Sequence, residues 1–370
     1  MTAARPDVVA FAEKLLALLE EGRYTATYKY AVLLALMDLC LERADRSGLP
    51  PSTLTTPEVA RRVVELYWPH TVPYPGAPAG TVLRQNVRGQ AEIVAAIAEF
   101  RRRWAPEAAA VWQAEHQAPA AFARLVREVE WKLIEMPLPR LQRIGDTVDE
   151  FIYAIPWTEG IRRGVVQAYW AGRATFDNRI LLKPGVGAYL RDLHGLLRPL
   201  IHRRWAAMVA ALNGLPEARL EAFLFGQDRV DTTPVRAPLW ELQERRCFYC
   251  GARLAEPVQG VVDHFLPWAR HPDDGLDNLV VADARCNGWK GAWLAATDHL
   301  ARWARRFSAG DPLGAGLDDL AATLRWPRDP ERTRGAVRAI YLWLPDTARL
   351  WLRRREFVTP DPETIRRVLR

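Results

Sequence analysis

The sequence predicts a mainly α-helical protein with one small α+β module. Apolar residues recur every three or four positions along most of the chain, which is the spacing of an amphipathic helix. Residues 247–290 differ, because they combine three cysteines with a strand-like VVDHFL run and a polar loop. The apolar content of 49% is enough for packed cores and excludes wholesale disorder. We therefore divide the chain into a helical N-terminal region at 1–105, a second helical region at 106–240, the module at 241–308 and a helical C-terminal segment at 309–370.

The N-terminal region, residues 1–105, is predicted to pack around one apolar helix. Residues 28–43 carry almost no charge, so this helix is expected to be buried, with Cys40 as a small core residue. Thr55 and Glu58 flank a proline in the pattern of a capped helix start. Helices joined by a polar, proline-containing turn are compatible with a winged-helix-like DNA-binding module. Plain helical packing is the alternative.

The second region, residues 106–240, is predicted to be a helical scaffold or a substrate-handling segment. Residues 137–160 break the helical periodicity because their prolines remove backbone donors, so short strands or an extended linker fit there. Residues 186–212 predict two helices that are kinked or split at Pro199.

The charge balance favours a polyanionic partner. Lys and Arg total 51 against 44 Asp and Glu, which gives a net charge of +7, and a basic surface attracts nucleic acid. A GC-rich genome explains the abundance of arginine equally well. No run reaches the roughly 18 apolar residues that a membrane span needs, and the N-terminus is charged and amphipathic, unlike a signal peptide. We therefore expect a cytoplasmic protein without membrane attachment, in which clustered cysteines bind metal instead of forming disulfides.

Three cysteines have the spacing of a structural zinc site. Cys247 and Cys250 form a Cys-x2-Cys knuckle, and Cys286 can supply a third thiolate from the far side of the module. Asp283 precedes Cys286 by three residues, as Cys247 precedes Cys250, so it is the natural fourth ligand, with His299 as a fallback. The alternative is a reduced, metal-free knuckle that is held by hydrogen bonds.

A second set of polar residues lies among these cysteines. Asp263 and His264 are adjacent in the predicted strand, where side chains alternate between faces, so a bulge or a turn is expected to aim the carboxylate at a metal and the imidazole at a water. A histidine with a pKa of about 6.5 is a suitable general base. Asn287, at a helix start, can complete the ligand set of a hard cation such as Mg²⁺. Asn278 can tie the loop to the backbone, and Lys290 can reach a phosphate. Together these groups predict phosphodiester hydrolysis.

The order Cys-x2-Cys, Asp-His, Asn, Cys-Asn, Lys within residues 247–290 resembles the HNH endonuclease family in its zinc-knuckle form. The resemblance covers roughly residues 245–305. It implies a ββα-metal fold, which is a two-stranded hairpin followed by a helix around one divalent ion.

The resemblance also implies a role for each residue. His264 would be the general base, Asp263 and Asn287 would be ligands of the catalytic metal, and Asn278 would hold the loop that aligns His264. Asn287 stands where the third letter of the motif calls for histidine, and this HNN variant favours Mg²⁺ or Mn²⁺. Asp283 departs from the family pattern, in which Cys or His is usual at the fourth zinc position.

These residues predict a metal-dependent endonuclease that hydrolyses DNA, foremost double-stranded DNA, with a catalytic Mg²⁺ or Mn²⁺ and a structural Zn²⁺. The layout of the whole chain is similar to bacterial restriction and phage-defence nucleases, which implies a partner protein from a defence operon. Two alternatives remain open: an RNA endonuclease that acts, for instance, on tRNA, and a zinc-stabilised nucleic-acid-binding protein without catalysis. The sequence predicts neither the recognition site nor the oligomeric state.

Overall fold

Two compact units make up the chain in the computed structural model. The structure describes residues 5–21, 25–78, 80–226 and 230–370. The first unit contains the described residues of 1–40 and 51–228, and the second contains 41–50 and the described residues of 229–370. The structure is mainly helical with few, small sheets, which confirms the predicted fold class. The winged-helix-like arrangement and the four-segment division stay predictions.

The first unit is built mainly from helices. Their bounds are α1 (Arg5–Glu21), α2 (Tyr28–Glu42, which ends in the second unit), α3 (Thr56–Tyr67), α4 (Glu92–Trp104), α5 (Val111–Gln117), α6 (Pro119–Glu135), α7 (Pro137–Arg140), α8 (Arg163–Trp170), α9 (Val186–Asn213) and α10 (Leu220–Phe225). Helix α2 is buried from Ala31 to Glu42, and Cys40 lies in the core, as the nearly uncharged sequence predicts.

Short strands accompany these helices. They are β1 (Thr53–Thr55), β2 (Arg143–Ile144), β3 (Thr147–Val148), β4 (Tyr153–Ala154) and β5 (Arg179–Leu182). Strand β5 lies between β1 and β4 in an antiparallel sheet, and β2 pairs with β3. Helix α3 starts as predicted, since the Glu58 carboxylate accepts hydrogen bonds from the Thr55 amide at 2.9 Å and the Thr55 hydroxyl at 2.6 Å.

Helix α9 corrects the prediction of two helices, because it runs unbroken from Val186 to Asn213 with Pro199 inside. A proline inside a helix removes one backbone hydrogen bond and costs about 3 kcal/mol. Leu197, Ile201 and Trp205 on either side of the proline are buried in the core of the first unit. Burial of these side chains on both sides of Pro199 offsets that cost. The apolar periodicity of the sequence does not show this burial, so it could not predict a continuous helix.

The second unit holds the predicted α+β module and the C-terminal segment. Its elements are α11 (Thr233–Leu242), β6 (Gly260–His264), β7 (Leu279–Asp283), α12 (Ala284–Lys290), α13 (Thr297–Arg305), α14 (Pro312–Leu324), α15 (Pro330–Tyr341), β8 (Leu350–Arg353), β9 (Glu356–Val358) and α16 (Pro362–Leu369). Phe265 and Trp303 stack at 5.0 Å between ring centroids in its core. The hairpin of β8 and β9 was not anticipated from the sequence. Within the described ranges, no helix is long and apolar enough to cross a membrane.

Candidate nuclease site

A hairpin and a short helix form the frame of the site. Strands β6 and β7 pair antiparallel from Gly260 opposite Asp283 to His264 opposite Leu279, without a register shift. Helix α12 follows β7 directly, and it packs against both strands. This is the two-strand and helix arrangement that the resemblance implied. Of the bulge or turn that the sequence suggested here, the paired strands contain no bulge, and β6 ends at His264.

The three clustered cysteines meet beside this frame. Their sulfur atoms, from Cys247, Cys250 and Cys286, all lie within 4.8 Å of one another. Gly251 has a φ of 72° directly after the second cysteine, which is the left-handed conformation that allows the knuckle to turn back. Cys286 enters from the first turn of α12, so the cluster ties the knuckle to the helix.

A structural zinc ion fits this donor set. Tetrahedral coordination at about 2.3 Å per bond places two sulfur atoms roughly 3.8 Å apart, which is within the observed spread. Burial raises the pKa of the Cys247 thiol and of the Cys286 thiol. Buried thiols of this kind ionise at neutral pH when a cation compensates the charge, as Zn²⁺ does.

Asp283, the predicted fourth zinc ligand, forms hydrogen bonds of its own in this structure. It caps α12, where its Oδ1 accepts the Arg285 amide at 2.8 Å, and its own amide donates to the Cys247 sulfur at 3.2 Å. Among the described residues, the sulfur cluster does not include its carboxylate. The fallback ligand His299 is held elsewhere, with Nε2 2.7 Å from the Leu352 carbonyl oxygen. A zinc-binding role for Asp283 therefore stays a prediction.

Asp263 is held from two sides through one oxygen. The Tyr249 hydroxyl donates to its Oδ2 at 2.6 Å, and the Lys290 ammonium lies 3.0 Å from the same atom. Burial raises the pKa of Tyr249 well above its usual value, and the nearby Asp263 charge raises it further, so the hydroxyl remains a donor. Among the described residues, no hydrogen bond to Oδ1 of Asp263 is recorded. One carboxylate oxygen is thus fixed, and the other remains available to a cation.

Lys290 is enclosed rather than directed at solvent. Its side chain is fully buried, and its ammonium donates to the His264 carbonyl at 2.8 Å as well as to Asp263. Burial lowers its pKa, and the Asp263 carboxylate opposes that shift. In this structure Lys290 therefore secures the end of β6, and its contact with a phosphate stays a prediction.

Asn287 lies one turn before Lys290 on α12. Side chains three apart share a helix face, so Asn287 lies on the face whose lysine contacts Asp263. It is only partly buried. A cation shared by Asp263 and Asn287 stays a prediction. Carboxylate and amide oxygens of this kind suit a hard divalent cation.

Asn278 is completely buried, and its side chain forms hydrogen bonds across the loop between the strands. Its Oδ1 accepts the Leu266 amide at 2.7 Å, and its Nδ2 donates to the carbonyl oxygens of Leu266 at 3.1 Å and Asp273 at 3.0 Å. These bonds join the start of the loop to its end. The loop-holding role expected for Asn278 is compatible with these contacts.

His264 lies at the end of β6 between two side chains. Its Nε2 is 2.8 Å from Oδ1 of Asp274. Its ring forms a T-shaped contact with the Trp268 ring, with 5.2 Å between the ring centroids. Sequence reasoning missed Asp274 and also Tyr249, which holds Asp263. Both are polar residues within the predicted module, but only the folded loop and knuckle show which of its many polar residues touch the motif.

Comparison with known proteins assigns the cysteine cluster, the hairpin and α12 to a protein family. An HNH endonuclease family model matches residues 247–296, which contain the cysteine cluster, the hairpin and α12. No curated protein and no solved structure matches the chain significantly. Residues 247–296 therefore form an HNH endonuclease domain, and this chain is a nuclease, which is a hydrolase of phosphodiester bonds.

Proposed function

We propose that this nuclease is a metal-dependent endonuclease that hydrolyses DNA, with His264 as the general base. The observation that carries the proposal is the placement of Asp263, His264 and Asn287. The strand end carries the first two, and the third lies on the helix face whose Lys290 contacts Asp263. Phosphodiester hydrolysis requires a base and a cation, and these three residues would supply the base and the ligands of the cation.

Asp263 and Asn287 would hold the catalytic ion, with Mg²⁺ or Mn²⁺ favoured by their oxygen donors. When bound, the ion supplies positive charge at the scissile phosphate. Tyr249 and Lys290 orient the carboxylate by fixing its Oδ2. The thiolates of Cys247, Cys250 and Cys286 would hold a separate structural Zn²⁺, with Asp283 as the proposed fourth ligand.

His264 would take a proton from the attacking water. Its ring is only partly exposed, with 13% of the side-chain surface accessible, so few orientations are open to it. Trp268 also packs against the His264 ring in a T-shaped contact. A restrained imidazole beside the phosphate keeps base and water in reactive geometry.

We propose double-stranded DNA as the substrate and restriction or phage defence as the role, with a partner protein from the same operon and a cytoplasmic location. The basic composition and the family resemblance support this proposal. An RNA endonuclease, for instance one acting on tRNA, is the second candidate, because nothing at the site reads a 2′-hydroxyl. The HNH domain indicates catalysis, which argues against a purely binding protein.

The test is cleavage of supercoiled plasmid and of total RNA by the full chain, with Mg²⁺ or Mn²⁺ and with EDTA. We expect metal-dependent nicking of plasmid, and a loss of about 10²- to 10⁴-fold in the His264→Ala variant. Equal cleavage by both proteins would rule out His264 as the base. Cleavage of RNA alone would favour the second candidate.

A further inference from the structure

The loop that precedes Asn278 presents one carboxylate to the proposed base. Asp274 is 11% exposed in its side chain, and its Oδ1 lies 2.8 Å from His264 Nε2. This contact joins the end of the loop to the end of β6. It belongs to neither metal site and to none of the motif positions.

The backbone around Asp274 is fixed by several hydrogen bonds. The Trp326 indole donates to the Asp274 carbonyl at 2.8 Å. On its N-terminal side, Asp273 accepts the Gly275 amide at 2.9 Å and the Thr333 hydroxyl at 2.8 Å. Helix α15 and the loop before it therefore hold this turn, and the carboxylate reaches His264 from a rigid support.

The contact differs from the pair of His194 and Asp38 in the first unit. His194 lies 3.4 Å from Asp38, a carboxylate that also accepts from two arginines. At 2.8 Å, the His264 pair is a short hydrogen bond, and the structure records no arginine or lysine on Asp274 among the described residues. Asp274 is therefore directed at His264 alone.

The Asp274 carboxylate decides which nitrogen of the neutral His264 ring carries the proton. An ionised carboxylate only accepts hydrogen bonds, so the nitrogen that faces it must carry the proton. A neutral His264 is then protonated at Nε2, and Nδ1 keeps its lone pair. The other tautomer would place two lone pairs against each other at 2.8 Å.

We propose that Asp274 is a positioning residue for His264, which fixes the tautomer and the ring orientation so that Nδ1 faces the attacking water. The proposal rests on the proposed function of His264 as the base. In the step, the water gives one proton to Nδ1 while its oxygen bonds to phosphorus. The bond from phosphorus to the leaving oxygen breaks, and that oxygen takes a proton from solvent.

The first test needs no nuclease activity. The full chain is labelled with ¹⁵N at histidine, and the ring of His264 is assigned by its absence in His264→Ala. At a pH where the ring is neutral, we expect the Nε2-protonated form in the native chain and in Asp274→Asn, whose amide oxygen still accepts. Asp274→Ala should give a mixture of tautomers. A ring spectrum that is identical in Asp274→Ala and the native chain would overturn the proposal.

The second test is a double-mutant cycle on plasmid cleavage. Asp274→Ala is expected to lower kcat by about 10- to 100-fold with little change in KM, because ring orientation is lost and substrate binding is not. Asp274→Asn should recover most of that loss. In a His264→Ala background, Asp274→Ala should change the residual rate by less than about twofold.

The control is Asp319→Ala, which removes an exposed carboxylate from α14 for which the described residues show no ion pair. It should leave both the tautomer and kcat unchanged. An equal loss from Asp274→Ala with and without His264 would show that Asp274 acts on the fold and not through the base, and would overturn the proposal. If the native chain cleaves no nucleic acid, the proposed function fails, and the histidine spectrum still decides whether Asp274 fixes the tautomer.

Discussion

Asp38 in the first unit and Asp263 in the second are both buried carboxylates that face cations, but their oxygens are used differently. Arg62 donates to Oδ2 of Asp38 at 2.8 and 2.7 Å, and Arg198 donates to Oδ1. Burial raises the pKa of Asp38, but Arg198 and Arg62 outweigh burial and hold it well below its usual range. In the described part of the chain, the contacts of the Asp263 carboxylate with Tyr249 and Lys290 are both made by Oδ2.

The difference separates a fully paired carboxylate from one that we propose as a metal ligand. Both oxygens of Asp38 are occupied and the residue has no exposed surface, so no capacity remains for a ligand. Asp263 has no recorded hydrogen bond to Oδ1 among the described residues, and the two residues proposed to act with it, His264 and Asn287, are partly exposed. A buried charge is therefore weak evidence for a site, and unused bonding capacity next to solvent is stronger evidence.

Removal of the proposed structural zinc should have the largest effect. Binding of zinc to a thiolate site contributes an apparent 10 to 16 kcal/mol at about neutral pH, so a chelator should unfold the domain at 247–296. Limited proteolysis and tryptophan fluorescence report the loss. Cys286→Ala should abolish the bound zinc, whereas Cys40→Ala, at the matched cysteine in the core of the first unit, should retain it. Equal zinc content in both variants would contradict the assignment of the cluster.

Asp263→Asn should remove most of the activity while the fold survives. The substitution preserves shape but removes the charge that the catalytic ion requires, so we expect a fall of about 10³-fold in kcat/KM. Circular dichroism checks that the chain remains folded. The same change at the fully paired carboxylate, Asp38→Asn, should leave the activity of folded molecules unaltered. Loss of activity in both variants to the same extent would remove the distinction between the two clusters.

Asp38→Ala should act on stability instead. It leaves Arg62 and Arg198 buried without their carboxylate, which costs about 3 to 5 kcal/mol of unfolding free energy. Urea unfolding of the first unit measures this loss, while plasmid nicking per folded molecule should not change. A destabilisation below about 1 kcal/mol would mean that water reaches the arginines and replaces the carboxylate.

The smallest effect concerns acid stability of the first unit. Burial lowers the pKa of His70 and of His202 to about 3 from the ordinary 6.5. Between pH 6.5 and 3 the unfolded chain binds more protons than the folded chain, so the free energy of unfolding falls as the pH falls. Each histidine contributes up to about 1.4 kcal/mol per pH unit.

The variant His70→Asn should make this dependence shallower by the contribution of one histidine. Its amide oxygen can accept from the Gln85 amide, which now lies 3.0 Å from Nδ1. Unfolding titrations between pH 7.5 and 4.5 compare the two slopes. Parallel slopes would show that His70 is not buried in neutral form.

Helices with strong periodicity could be predicted from the sequence. Helix α2 is almost wholly apolar, with Lys29, Asp38 and Glu42 as its charged residues, and the Thr55 start of α3 has its own local cap. Both helices can therefore be recognised from local sequence, without distant residues. The prediction of two helices around Pro199 was wrong because α9 is kept continuous by burial in the core of the first unit, to which distant parts of the chain contribute. The hairpin of β8 and β9 was missed because its strands are only four and three residues long.

The family of the nuclease module could be predicted from the sequence, because the cysteine spacing, the Asp263-His264 pair and Asn287 are local patterns. The HNH endonuclease match at residues 247–296 confirms that family. Tertiary structure alone decided how these groups are held. Tyr249 reaches Asp263 from the knuckle, and Asp274 reaches His264 from the loop. Such contacts depend on how the loop and the knuckle fold back onto the strand, and no periodicity of the chain records that geometry.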